Sequence, residues 1–165
     1  MKLLSKIYII ILWSEALYQK NRIIEDLEMK FDIIEINSID WSENLFFENL
    51  FIFYHGNLPL YSEKNKYSGD KPFYCLVIKD IHPQYDYITT SRGNQYRVNI
   101  KLHQSKELYR KWTNGGHKIH GSEDYIETNF QLKLLLGKSY EEYMTMIPNK
   151  KINYLKQDLI YQEYK

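Results

Sequence analysis

The apolar positions of this chain fall into two kinds of pattern. Ile7–Leu12 is an unbroken apolar run, the signature of a strand buried on both faces. Beyond it, Leu17, Ile24, Leu27 and Phe31 recur at helical spacing, and Ser14 stands where a cap belongs. This predicts a helix from Ser14 to about Lys30. Phe31–Asn37 then reads as a second strand. Ser42 precedes ENLFFENLFIFYHG, a helix apolar on nearly every side and stopped by Gly56. The β-α-β-α order predicts an α/β layer with parallel pairing between the first strands.

The second half changes character. FYCLVIKD, from Phe73, is a third buried strand. Next, YDYITTS and QYRVNIKL flank Arg92-Gly93-Asn94. In the latter run Tyr96, Val98, Ile100 and Leu102 alternate with Arg97, Asn99 and Lys101, the period of a half-exposed antiparallel hairpin. Strands are therefore expected near residues 6–12, 32–37, 73–79, 85–91 and 95–102. Helices are expected over Ser105–Trp112, from a cap at Ser122 to Gly137, and from a cap at Ser139 to Pro148. Asn57–Pro72 reads as a surface loop, and the polar stretch Asn149–Lys165 as a peripheral terminal helix. The expected fold is one small α/β domain over residues 1–165. It has a two- or three-layer mixed sheet, a parallel N-terminal β-α-β, and a C-terminal hairpin followed by helices.

Composition supports a single core. The chain has 165 residues and is 44% hydrophobic, enough to fold without staples. The lone Cys75 lies in an apolar run, which excludes a disulfide framework and points to an inert buried thiol. Cysteine usage fits a reducing compartment, and a cytoplasmic location is expected. The start, MKLLSKIYIIILWSEA, resembles a minimal secretory signal, but its apolar run is short and Ser14 opens an amphipathic helix. A first strand is the preferred reading. No segment approaches the roughly 20 apolar residues that span a bilayer.

Charge adds one asymmetry. The net charge is +1, yet Arg92, Arg97, Lys101, Lys106, Arg110, Lys111 and Lys118 face only Glu107 between residues 92 and 118. Such a segment attracts anions in a near-neutral protein.

Candidate chemistry concentrates in WTNGGHKIHGSEDYIETN, Trp112–Asn129. Gly115, Gly116 and Gly121 argue against a helix there. In extended form His117 and Ile119 share one face, and Lys118 and His120 the other. A permanent cation beside a titratable imidazole, ahead of a helix N-terminus at Ser122, suits a phosphate ester. Glu127, about one turn into the helix, is placed to orient a histidine. Glu123 and Asp124 argue the other way: they would repel a phosphate and are what an ordinary helix start prefers. A glycine turn leading into a capped helix therefore stands beside the functional reading. The second suspect is the hairpin, where Arg92 sits beside Gly93, and Asn99 and Lys101 project from the polar face.

The expected function is a small enzyme of phosphoryl or nucleotidyl transfer, or a phosphoesterase, acting on a phosphorylated small molecule or nucleotide. His117, His120 and Glu127 form its acid–base set. Arg92, Asn99, Lys101, Lys118 and Ser122 hold the phosphate-bearing ligand. One alternative is a nucleic-acid-binding module using the basic 92–118 segment, with Tyr96, Tyr109 and Trp112 for stacking. Others are a hydrolase with a divalent metal ion as cofactor on His117, His120 and Glu127, and a non-catalytic interaction subunit. The chain has no Walker A loop, no dinucleotide-binding glycine fingerprint, no HExxH and no zinc-knuckle spacing.

Overall fold

The expected first strand forms as β1, Ile7–Leu12, with every side chain buried. Ile7, Ile9 and Ile11 enter one apolar cluster, while Tyr8, Ile10 and Leu12 enter another. A strand alternates in this way only when a layer packs on each side. The structure is a computed structural model and describes residues 4–55 and 70–161. Gly56, most of the expected 57–72 loop and residues 162–165 lie outside the described residues.

One covering layer comes from α1 (Lys20–Lys30), which follows a 3-10 turn at Ser14–Gln19, and from α3 (Ile100–Trp112). They contribute Ile23, Leu27, Leu102 and Tyr109. The opposite layer comes from α2 (Phe46–Phe53), α4 (Tyr125–Leu136) and α5 (Tyr140–Met144). Phe46, Leu50, Phe53, Leu132, Leu135 and Tyr143 pack there around Trp13 and Trp41. The fold is thus mixed α/β in three layers.

The central sheet has five strands in the order β6-β1-β3-β2-β7. The remaining members are β2 (Asp32–Trp41), β3 (Phe73–Lys79), β6 (Ile119–Gly121) and β7 (Asn149–Gln157). The expected hairpin forms a separate two-stranded sheet of β4 (Tyr85–Thr89) and β5 (Gln95–Asn99), but Ile100 and Leu102 of the expected 95–102 strand belong to α3.

Three expectations are corrected. First, β1 and β2 do not pair. Strand β3 lies between them and runs antiparallel to both, so they share a direction without touching. The parallel pair is β2 with β7. FYCLVIK is apolar at nearly every position, and only a central place buries both of its faces. Second, Asn149–Gln157 is strand, not helix. Ile152 packs on one apolar cluster and Leu155 on the other, and residues three apart reach opposite faces only in extended chain. Third, the helix expected at Ser105 begins at Ile100, because Asn99 caps it: its Oδ1 accepts from Lys101 N–H at 3.1 Å.

Caps differ too. Trp13 and Gln19, not Ser14, hold the cap positions of the 3-10 turn and α1, and the Ser42 hydroxyl donates to Asp158 at 2.6 Å rather than to a helix N–H. Ser139 caps α5 with a full capping box, as expected. Cys75 is buried, and burial pushes its thiol above the ordinary range.

Candidate active site at a sheet edge

The glycine-rich loop is a left-handed turn. Asn114, Gly115, Gly116 and His117 have φ of 62°, 73°, 79° and 55° in succession. Glycine takes this conformation freely and asparagine tolerates it, so His117 carries most of the strain. The turn reverses the chain from α3 into β6. Lys118 secures it, with Nζ donating to Thr113 O, past the end of α3, at 2.6 Å. A cation on the last carbonyls of a helix is a favourable pairing. Trp13 N–H donates to Lys118 O at 3.0 Å and extends the ladder from β1 to this point.

Ser122 is fully buried and works inside the fold. Its N–H donates to Ile9 O, while its hydroxyl accepts from Ile9 N–H at 2.9 Å and from Thr128 Oγ1 at 2.8 Å. The cap of α4 is therefore Asp124, whose carboxylate accepts from Glu127 N–H at 2.8 Å. Asn99 and Lys101 are likewise joined to a buried acid. Asn99 Nδ2 donates to Asp80 Oδ2 at 2.7 Å, and Lys101 Nζ lies 2.9 Å from Asp80 Oδ1. Arg92 stands exposed at the hairpin tip. The hairpin roots at the N-terminal end of α3 and Lys118 at its C-terminal end, about 20 Å apart along the helix.

His120 and Glu127 do come together. As the middle residue of β6, His120 turns its ring toward α2 and α4, edge-on to Phe53 and Tyr54 at 5.0 and 5.3 Å. Its Nε2 is 3.1 Å from Gln131 Oε1, and its Nδ1 is 3.4 Å from the Tyr54 hydroxyl. The arrangement fits a tautomer with the proton on Nε2, donated to Gln131, and Nδ1 accepting from Tyr54. Glu127 Oε1 lies 4.0 Å from Nε2, with the His120 side chain 12% exposed and that of Glu127 35%. Burial, and then the nearby Glu123 charge, push the Glu127 carboxyl up to about 7.

Two cations approach the same edge from α3. In the antiparallel ladder with β1, the carbonyls of Lys118 and His120 point inward, so those of Ile119 and Gly121 point outward. Arg110 Nη2 donates to Ile119 O at 3.4 Å, and Lys106 Nζ to Gly121 O at 3.3 Å. Lys106 is buried, lies 3.7 Å from Glu123, and is held below the ordinary lysine range by desolvation. Its stem crosses Gly121 so closely that an added Cβ would sit 2.4 Å from Cδ. Glycine here is a matter of space, not of turn conformation. Arg110 Nε is buried with no hydrogen-bond partner.

The structure thus unites His120 with Glu127, and adds Tyr54, Gln131, Lys106, Arg110 and Glu123. Some of these carried a signal in the sequence. Glu127 and Gln131, like Lys106 and Arg110, are i,i+4 pairs on one helix face. Tyr54 carried none, since it follows an apolar helix far away in the chain. Among the described residues, no group of three or more His, Cys, Asp or Glu is placed to hold a metal ion, so His117, His120 and Glu127 form no such set.

A second buried carboxylate, Glu35, is already satisfied. It accepts from Asn37 Nδ2 at 2.9 Å and from the Tyr143 hydroxyl at 3.1 Å, with Lys138 3.9 Å away. A shallow cleft of about 500 Å³ runs beside α3, lined by Lys30, Lys101, His103, Leu108 and Lys111 among others. Within the basic 92–118 segment, Lys101, Lys106 and Arg110 already face Asp80, Glu123 and Glu107. Among the described residues no helix is long and apolar enough to cross a membrane. No protein-family model matches the chain, and no curated protein does.

Proposed function

We propose that this protein is a small acid–base enzyme acting on a phosphate-bearing substrate, with His120 and Glu127 as its proton-transfer pair. The observation that carries the reading is Glu127: a partly exposed carboxyl, raised to about 7, beside an imidazole fixed by Gln131 and Tyr54. A carboxyl of that affinity gives and takes protons near neutral pH, and the imidazole beside it offers a donor on one nitrogen and an acceptor on the other. The two lie 4.0 Å apart, too far for a hydrogen bond with each other, and Glu127 Oε1 accepts instead from Glu123 N–H at 3.1 Å. Arg110, through its unpartnered Nε, and Lys106 supply positive charge at the same edge. They take the phosphate-holding role in place of Arg92 and Lys118. Phosphoester hydrolysis or phosphoryl transfer is the reaction class that fits a proton-transfer pair next to cations.

The test is a thermal-shift and calorimetric survey of nucleotides and sugar phosphates against wild type, Arg110→Gln and Glu127→Gln. A true ligand stabilises wild type and binds Arg110→Gln weakly. It still binds Glu127→Gln, in which turnover falls about 100-fold or more. If no phosphorylated compound stabilises wild type, the proposal fails and the cluster is a structural plug at the sheet edge.

A further inference from the structure

The two edges of the five-stranded sheet are finished differently. At β6, side chains from α3 occupy the outward carbonyls. At the opposite edge, β7 runs nine residues from Asn149 to Gln157. Gln157 O accepts from Ser42 N–H, which turns the Gln157 backbone toward β2. With a strand's period of two, Ile152, Tyr154 and Lys156 turn their backbone groups outward. Among the described residues nothing bonds those outward groups. Tyr154 is 77% exposed beside them.

We propose that the β7 edge is a strand-addition site for an acidic extended segment of a partner protein, which pairs with Ile152–Lys156. Main-chain hydrogen bonds supply affinity in such a pairing, and side chains supply selectivity. The selectivity here is electrostatic. The strand contains Lys150, Lys151 and Lys156 and no acid. Lys150 lies 3.7 Å from Glu28, whereas Lys151 and Lys156 are exposed and make no ion pair among the described residues. Lysines on an edge repel basic strands and lose hydration against neutral ones, and an acidic strand converts that barrier into attraction. A second copy of this chain is the poorer occupant, because self-pairing would gather the lysines of both copies on one short ladder. A cleft of about 620 Å³ at the end of β7 is lined by Asp40, Glu43, Asp70, Asp158, Lys71 and Lys156 among others. Its carboxylates limit the acidic stretch to the residues opposite the lysines and favour a basic side chain after it.

The test uses an N-acetylated, amidated octapeptide that repeats Glu-Glu-Val-Val and so carries Glu on both faces, because Lys151 and Lys156 lie on opposite faces of β7. The counterpart with Lys for Glu is the Lys–Val control. Hydrogen exchange and NMR shifts of β7 report binding. The Glu–Val peptide is expected to protect the Ile152, Tyr154 and Lys156 amides, and to lose affinity as salt rises. Lys151→Glu with Lys156→Glu should weaken it about 10-fold or more. Tyr154→Pro removes an outward N–H that the ladder to β2 does not use, so the variant folds and should abolish protection. No protection at millimolar peptide overturns the proposal. So does equal protection by the Lys–Val peptide, unchanged binding to Tyr154→Pro, or self-association through β7 in place of peptide binding. None of these outcomes depends on His120 or Glu127.

Discussion

Arg92–Gly93 and His120–Gly121 look alike in the sequence, since each sets a glycine beside a side chain suited to an anion. The fold gives them different physics. Gly93 sits at an exposed tip with φ 83° and open space where a Cβ would be. Gly121 is buried under the stem of Lys106, and His120 is wedged among Tyr54, Gln131 and Glu127. One glycine serves the backbone's conformation, and the other makes room for a neighbour. The environment that shifts the Glu127 proton affinity exists only where side chains are crowded out of water.

Substitution at the two glycines breaks the comparison most sharply. Gly121→Ala forces Lys106 from its path, and because Lys106 is buried it has little room to yield. A loss of about 1–3 kcal/mol in denaturant unfolding is expected. Gly93→Ala meets no atom and should cost about 1 kcal/mol through its positive φ alone. Equal losses at both sites would erase the distinction.

Lys118→Ala comes next. The exposed phosphate clamp suggested by the sequence would leave stability unchanged. The bond to Thr113 O instead predicts a loss of about 1 kcal/mol, read by thermal melting.

A pH series tests the crowded site directly. Glu127 binds its proton more tightly when folded, at about 7, than an unfolded glutamate at about 4.3. The folded state therefore holds extra proton between those values. Stability should fall as pH rises from about 4 to 7 and level off above that, and Glu127→Gln should remove this component. An unchanged slope in the variant would place the shift elsewhere. The smallest effect belongs to the hairpin tip: Arg92→Ala should change stability by no more than about 0.5 kcal/mol.

Much of this was legible in the sequence, for reasons that can be named. Ile7–Leu12 could be read because both of its faces are apolar, and the hairpin because two short runs flank the turn at Arg92-Gly93-Asn94, although its alternation ran on into the helix at Ile100. The place of β3 between β1 and β2 could not, since pairing between distant strands leaves no local trace. Asn149–Gln157 misled because the stretch is mostly polar, and only the sheet shows that Ile152 and Leu155 point to opposite faces. At the site, the nearness of His120 to Glu127 could be read from their short separation in the chain. The partners that Lys118 and Ser122 bond within the fold could not be read locally. For Ser122 these include Ile9, which lies 113 positions away.

The central place of β3 also bears on how the chain is made. Synthesis runs from the N-terminus, so β1 and β2 both emerge before Phe73–Lys79, the strand that joins them. Until that strand leaves the ribosome, two largely apolar segments have no edge to pair with except each other, in a register the finished protein never uses. The sheet can be completed only once β3 is made, and the strand that pairs parallel with β2 is made after residue 149. Pairings between strands so far apart in the chain close long loops, which slows folding.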